Sequence, residues 1–215
     1  MRLVVWVLLV GCGRVGFGPS QDDASVRLDD SPGVSIDAST CATDPFDGLQ
    51  ASWMSNGGTW SVGGGVLRMD TTGQLGDGSV IYTPSGSFVG RSTAVEVVRP
   101  AQQPQVWSGI GWHMTGSASH LFVLEGDLRF LSSTGDPVYA TYDAVRHRWL
   151  RIREAGGMIL AETSADGVSW SLHGMVPAPP PAALANAHFD ISVESTIMTV
   201  GPDYALFDNF VDCVR

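Results

Sequence analysis

Glycine-containing turn signals interrupt the chain at short intervals from residue 41 to the C-terminus. They are Gly57-Gly58, Gly63-Gly64, Glu125-Gly126-Asp127, Gly156-Gly157 and Ala165-Asp166-Gly167. Glycine is favoured in hairpin turns because it adopts positive φ angles at no steric cost. No helical periodicity longer than two turns fits between these signals, so the sequence predicts short strands joined by tight connections.

The segments between the turns are short, and they are either apolar throughout or alternate apolar and polar residues. They are residues 59–62, 65–69, 79–82, 93–98, 109–113, 120–124, 128–131, 149–153, 158–161, 189–193 and 205–211. This pattern predicts an all-β fold of two packed antiparallel sheets. A β-propeller is the alternative, but no repeat occurs at the blade period of about 40 residues. The proline-rich run 177–181 is predicted to be an exposed polyproline-type loop.

The first twelve residues consist of a basic start, a short apolar run and a cysteine. The apolar run is too short to span a bilayer, which needs about 20 residues, but it suits a secretory signal. Leu9-Val10-Gly11-Cys12 resembles the bacterial lipobox, which implies removal of residues 1–11 and lipidation of Cys12. A plain signal sequence or a misassigned start is the alternative. Residues 11–16 also match the dinucleotide-binding fingerprint, but Gly18-Pro19 stops the helix that this motif requires.

Residues 12–40 are rich in Gly, Ser, Asp and Ala, and Phe17 is their one aromatic residue. They are predicted to form a disordered linker, because they cannot bury enough apolar area to offset the entropy of ordering. A first strand at Val34-Ser35-Ile36 is the alternative. The lipobox resemblance implies an exported protein, anchored by lipid to the bacterial cell envelope. Gly13 after the cysteine, instead of Asp, favours the outer membrane.

The chain contains three cysteines, and their number restricts how they can pair. With Cys12 assigned to lipid, Cys41 and Cys213 remain, and in an exported chain they are predicted to form a disulfide. Two unrelated buried thiols are the alternative.

The net charge is −10, and all twelve basic residues are arginine. Such a chain is a poor polyanion binder, so we expect no nucleic-acid partner and membrane contact through the lipid only. We also expect a monomer.

Motifs spread over residues 41–215 resemble those of concanavalin A-like lectin/glucanase domains, including the LamG-like group. They are Phe46-Asp47-Gly48-Leu49, Trp53, Trp60-Ser61-Val62, Gly64-Gly65-Val66-Leu67, Trp149-Leu150-Arg151-Ile152, the hairpin 163–170 and Phe207-Asp208-Asn209-Phe210. The resemblance implies a jelly-roll sandwich whose curved sheet often binds carbohydrate in relatives. Within the hairpin, residues 164–170 resemble a sialidase Asp-box with one residue missing. We expect a hairpin turn there, with Trp170 packed beneath it.

Catalytic signatures are sparse. Laminarinase-like relatives carry E-x-D-x-E on a strand, and this motif is absent. Glu125 and Asp127 are the one Glu/Asp pair in the domain at the spacing that a retaining glycosidase needs. They flank Gly126, so a hairpin turn with solvated charges is the favoured interpretation, and they stay weak catalytic candidates. Asp190 and Glu194 share a strand face but lie roughly 13 Å apart along it, too far for this task.

Metal-binding spacings are also sparse. The five histidines show neither H-x-H nor H-E-x-x-H, so no zinc ligands are predicted among them. Calcium is the one cofactor considered, because Asp44, Asp47, Asp208 and Asn209 would converge if Cys41 and Cys213 brought the two ends of the domain together. The favoured alternative is that these four side chains cap turns.

Strand alternation over residues 106–114 places Trp107 and His113 on the same face as two glycines, opposite Ile110. The glycines are expected to leave open space for a ligand groove between Trp107 and His113. In the alternative, the other sheet fills this space and Trp107 lies in the core. The leading hypothesis is a non-catalytic, carbohydrate-binding envelope lipoprotein. The alternatives are a glycan-active hydrolase with an unrecognised site and a structural envelope protein that binds other proteins.

Overall fold

A computed structural model describes residues 40–48, 52–71, 76, 78–196 and 202–214. The predicted signal peptide, Cys12, residues 13–39 of the linker and the alternative strand at 34–36 lie outside the described residues. The described part contains the following strands and one helix. They are β1 (Thr40–Asp44), β2 (Trp53–Asn56), β3 (Thr59–Gly63), β4 (Val66–Thr71), β5 (Gly78–Tyr82), β6 (Arg91–Arg99), β7 (Val106–Met114), β8 (Ser117–Leu124), β9 (Asp127–Ser132), β10 (Gly135–Thr141), β11 (Trp149–Ala155), β12 (Met158–Ser164), β13 (Ser171–Pro177), α1 (Pro181–Leu184), β14 (His188–Ser195) and β15 (Asp203–Val214).

The strands form two antiparallel sheets. Sheet A has eight strands in the order β13-β12-β11-β6-β15-β4-β3, with β1 added beside β15. Sheet B has seven strands in the order β10-β9-β8-β7-β14-β5-β2. This arrangement confirms the two packed antiparallel sheets that the turn signals and alternating runs predict, and the jelly-roll sandwich that the family resemblance implies.

The core lies between the two sheets and is built from alternate residues of their strands. Ile110 and Trp112 of β7, Phe189 of β14 and Phe207 of β15 are fully buried in it. Trp112 Nε1 donates a hydrogen bond to Thr93 Oγ1 at 2.6 Å, which satisfies the polar atom of a ring that is otherwise enclosed by apolar side chains. Because every second residue of β7 enters this core, the residues between them face away from it.

The predicted disulfide between Cys41 and Cys213 is confirmed. Cys41 of β1 lies directly opposite Cys213 of β15 in the strand pairing, and the two sulfurs are bonded. The strand pairing begins at Thr40, the last residue of the predicted linker. The first and last described strands of the domain are therefore joined both by a β-ladder and by a covalent bond.

The proline-rich run departs from the prediction of a loop. Pro177 ends β13, where it pairs with Met158 at the edge of sheet A, and Pro181 is the first residue of α1. Proline has no backbone N–H to donate, and it is compatible with both positions. On an edge strand, not every N–H takes part in the ladder. At the first position of a helix, the N–H has no intrahelical partner. Only residues 178–180 remain outside strand and helix. Within the described residues, no helix is long and apolar enough to cross a bilayer.

Candidate functional site

The central strand β7 presents two contrasting faces. Ile110 and Trp112 belong to the core, whereas Trp107 and His113 lie on the opposite face with the two intervening glycines, as alternation predicts. We call this second surface the outer face of sheet B. Strand β7 lies between β8 and β14, so three strands contribute side chains to the middle of the outer face.

The two glycines of β7 do not leave an open floor, and this expectation was wrong. A Cβ atom on Gly109 would lie 2.5 Å from Phe122 Cβ. A Cβ atom on Gly111 would lie 2.3 Å from Asp190 Oδ1 and 2.9 Å from His120 Nδ1. The glycines are opposite these larger residues in the strand pairing, and the neighbours lean over them because no side chain stands in the way.

Trp107 lies neither in an open groove nor in the core. It is half-buried on the outer face, with its ring centroid 4.9 Å from that of Phe122 and 5.9 Å from that of His120. Glu194 of β14 is its cross-strand neighbour. Trp107 therefore forms part of a small aromatic surface that borders polar side chains.

A cluster of three histidines and one aspartate occupies the outer face beside Trp107. His113 Nε2 lies 3.2 Å from Asp190 Oδ1, and the ring of His113 meets that of His120 edge-on at 4.8 Å. The ring of His188 stacks in parallel on His113, with centroids 5.0 Å apart. Ser192 Oγ donates a hydrogen bond to Asp190 Oδ2. Asp190 is 3% exposed, so this carboxylate is enclosed by its neighbours.

The cluster shifts the pKa values of its members in different directions. The contact with the Asp190 carboxylate raises the pKa of His113. Burial lowers the pKa of His120 and of His188. Burial by itself would raise the pKa of Asp190, but His113 and Ser192 outweigh it, so this pKa lies below its ordinary value. Asp190 is therefore ionised at neutral pH, beside a histidine that is easily protonated.

Within this cluster, only His113 was predicted to bind a ligand. Asp190 was considered only as a catalytic carboxylate, and no role was predicted for His120 or His188. Spacing rules for metal or catalytic histidines look for ligands close together in one segment, whereas these residues come from β7, β8 and β14. The pairing places His120, Gly111 and Asp190 in one row across the sheet. The one sign of this cluster in the sequence is that Gly111 shares a strand face with His113. The side chains that fill the space beside the glycine depend on which strands are the neighbours of β7, and the sequence does not give that order. The imidazoles of His113 and His120 and the carboxylate of Asp190 are groups that commonly coordinate transition metals.

Of the two catalytic candidates, Glu125 lies in the turn between β8 and β9, and Asp127 is the first residue of β9. Glu125 and Gly126 have φ angles of 55° and 81°, which are typical of a tight hairpin. Glu125 Oε1 accepts a hydrogen bond from Gln105 Nε2 at 2.8 Å, and Asp127 Oδ2 lies 3.3 Å from Arg129 Nη2. Both carboxylates are well exposed and engaged with surface partners.

One calcium candidate, Asp44, acts as a turn cap. Its Oδ1 accepts a hydrogen bond from the Phe46 N–H at 2.8 Å, and its Oδ2 accepts one from Trp53 Nε1 at 3.0 Å. Asp44 is 4% exposed. Both oxygens therefore serve the local structure.

Two of the other calcium candidates, Asp208 and Asn209, lie on β15, where Asp208 is the cross-strand neighbour of Glu96. Burial raises the pKa of Asp208, and the neighbouring Glu96 and Asp47 carboxylates raise it further. Asn209 has a φ of 50° and donates from Nδ2 to Glu96 Oε2 at 2.7 Å. In the described part of the chain, no three carboxylates at this end have oxygens within 4.8 Å of one another.

No protein-family model matches the chain, and no curated protein matches it. Solved structures do match. A Bacillus licheniformis β-glucanase is 12% identical with a TM-score of 0.58, covering 84% of this chain and 100% of that one. The catalytic domain of an endo-1,3-β-glucanase (laminarinase) from Thermotoga petrophila RKU-1 is 8% identical with a TM-score of 0.61, covering 83% and 98%. A Crh5 transglycosylase in complex with NAG is 13% identical with a TM-score of 0.61, covering 81% and 83%. The chain therefore has the concanavalin A-like jelly-roll fold that these proteins share.

Proposed function

We propose that this protein is a non-catalytic, carbohydrate-binding β-sandwich that is exported and anchored by lipid to the cell envelope. The observation that carries the binding proposal is the half-buried Trp107 on the outer face of sheet B, bordered by the histidine and aspartate cluster. An aromatic ring stacks on the apolar face of a sugar, while nearby polar groups bind its hydroxyls. Solved structures of the same fold include two β-glucanases and a transglycosylase bound to NAG.

The spacing of the carboxylates on the three central strands of this face supports binding without hydrolysis. A retaining glycosidase needs two carboxyl groups about 5–5.5 Å apart, and an inverting one about 6.5–9.5 Å. On the outer-facing positions of β7, β8 and β14, the carboxylates are Asp190 and Glu194. They lie four residues apart on one strand, or roughly 13 Å. Asp190 is also enclosed and in contact with His113.

Replacement of Trp107 tests the binding proposal. The purified full-length protein is tested by affinity electrophoresis and calorimetry against β-1,3-glucan, β-1,3-1,4-glucan and NAG oligomers. Trp107→Ala is expected to weaken binding by about tenfold, because it removes the stacking surface. Trp170→Ala is the matched control, since Trp170 stacks on Arg151 of sheet A and lies outside this face. Absence of binding to every glycan, or release of reducing sugar, would contradict the proposal.

The anchoring proposal rests on the order of the basic start, apolar run and cysteine at residues 2–12. Cys12→Ser is expected to abolish incorporation of labelled fatty acid and to release the protein from the membrane fraction. Cys41→Ser is a suitable control for loss of a cysteine, because Cys41 is disulfide-bonded. Lipid labelling that persists in Cys12→Ser would show that another residue is modified.

A further inference from the structure

Three donor atoms from three adjacent strands converge above Gly111. His120 of β8 and Asp190 of β14 are the cross-strand neighbours of Gly111 on its two sides, and His113 lies two residues along β7 on the same face. One nitrogen of each histidine and one oxygen of Asp190 all lie within 4.8 Å of one another. The missing side chain of Gly111 creates the space in which they meet, since a Cβ there would collide with both neighbours.

The buried Nδ1 atom of His120 takes part in no hydrogen bond among the described residues. Asp190 Oδ1 lies 3.2 Å from His113 Nε2. Buried polar atoms normally have partners, because burial without one costs free energy. The donor cluster and the unpartnered His120 Nδ1 are separate observations, and both point to a ligand at the same place.

We propose that His113, His120 and Asp190 bind one divalent transition-metal ion of the zinc class. Two neutral imidazoles and one carboxylate suit zinc, cobalt or nickel, whereas calcium and magnesium prefer oxygen ligands throughout. Three protein ligands leave a fourth coordination position for water or an external ligand. The inference goes beyond carbohydrate binding and does not rest on it.

The distances agree with such a centre. Bonds of about 2.0–2.1 Å to a tetrahedral ion place its ligand atoms about 3.4 Å apart. The separation between His113 Nε2 and Asp190 Oδ1 is 3.2 Å, and one ring nitrogen of His120 lies within 4.8 Å of a donor atom on each of the other two residues. Ser192 Oγ donates to Asp190 Oδ2, which holds the carboxylate with Oδ1 directed at the two histidines. The His113 side chain is 35% exposed, so an ion reaches the cluster from solvent.

Metal titration of the untagged, full-length chain tests the proposal. All proteins carry Cys12→Ser, which leaves no free thiol because Cys41 and Cys213 are bonded to each other. After treatment with a chelator, the protein is titrated with Zn²⁺ by calorimetry and with Co²⁺ by visible absorption. We expect one Zn²⁺ per chain, and cobalt bands that Zn²⁺ removes and excess Ca²⁺ does not. Circular dichroism confirms that each variant is folded.

The variants separate this cluster from histidines elsewhere on the surface. His120→Ala is expected to abolish binding, whereas His147→Ala, in the segment between β10 and β11, leaves it unchanged. Ser192→Ala, which removes the group that orients the carboxylate, is expected to weaken binding by about 10- to 100-fold. If the folded protein binds no Zn²⁺, or if His120→Ala binds as tightly as His147→Ala, the cluster is a hydrogen-bonded surface feature and the proposal is overturned. Neither result depends on whether the protein binds a glycan.

Discussion

Arg91 shows how a single buried charge is held in the sandwich. Its side chain is 5% exposed, and its guanidinium pairs with Asp212, which is 4% exposed. It also donates to the carbonyl oxygens of Ser85 and Ser87. Tyr82 donates its hydroxyl to the same carboxylate at 3.0 Å, and burial together with Asp212 raises the pKa of Tyr82 to about 12. The charges of the pair are compensated locally, but each depends on the other.

Arg91→Met is expected to destabilise the protein by about 3–5 kcal/mol, because Asp212 would remain as a buried, uncompensated charge. Urea unfolding followed by tryptophan fluorescence measures this loss. The double variant Arg91→Met/Asp212→Leu removes both charges and is expected to recover most of the stability. A double variant as unstable as the single one would show that Arg91 acts through its carbonyl contacts instead.

Among the elements, the hairpin between β12 and β13 is organised by Asp166. Its Oδ1 accepts hydrogen bonds from the Val168 and Ser169 N–H groups, both at 2.8 Å, and from Ser164 Oγ. These bonds lower the pKa of Asp166 to about 2. Gly167 has a φ of 75° and lies against the ring of Trp149. Trp149 therefore occupies the place that we expected for Trp170, which stacks instead on Arg151, 3.9 Å from the ring centroid.

The hairpin predicts a pH dependence of stability. The folded pKa of Asp166 lies below its unfolded value of about 3.9, so its contribution is present above pH 4 and is lost as the pH falls towards 2. The melting temperature of Asp166→Asn is expected to lie below that of the wild type at pH 6, and the gap is expected to narrow between pH 4 and pH 2. Asp136→Asn, on the exposed strand β10, controls for loss of a surface carboxylate. A gap that stays constant across this range would contradict the assignment.

The elements also show which kinds of structure the sequence can predict. Turns such as Glu125-Gly126-Asp127 and the alternation along β7 follow from backbone sterics and a period of two, which are local properties. The row His120–Gly111–Asp190 depends on which strands are neighbours, and residues 111 and 190 are far apart in the chain. For the same reason, the sequence of β7 alone does not tell whether the space beside Gly109 and Gly111 is open or filled by side chains of the neighbouring strands. The disulfide was predictable because the lipobox resemblance assigned Cys12 to lipid, which left one pair of cysteines in a chain predicted to be exported.

At the scale of the whole molecule, β15 connects the two ends of the domain. One side of β15 pairs with β6, while the other pairs with β4 through its first half and with β1 through its second. Strand β1 is largely exposed, so its attachment relies on the ladder to β15, on Asp44 and on the disulfide. The bonded cysteines are 172 residues apart, so the bond constrains nearly the whole described domain in the unfolded state.

Replacing both Cys41 and Cys213 with alanine is expected to lower the free energy of unfolding by about 2–5 kcal/mol, because the unfolded chain regains the entropy of a long open loop. Urea unfolding measures this change, with Cys12→Ser as the control for loss of a cysteine outside the bond. Hydrogen exchange is expected to show protection lost first in β1, while β6 and β7 stay protected, since their ladders are flanked on both sides. Unfolding free energies equal to that of the control would show that the ladder alone holds the ends together. Simultaneous loss of protection in all three strands would show instead that the bond supports the entire sandwich in its native state.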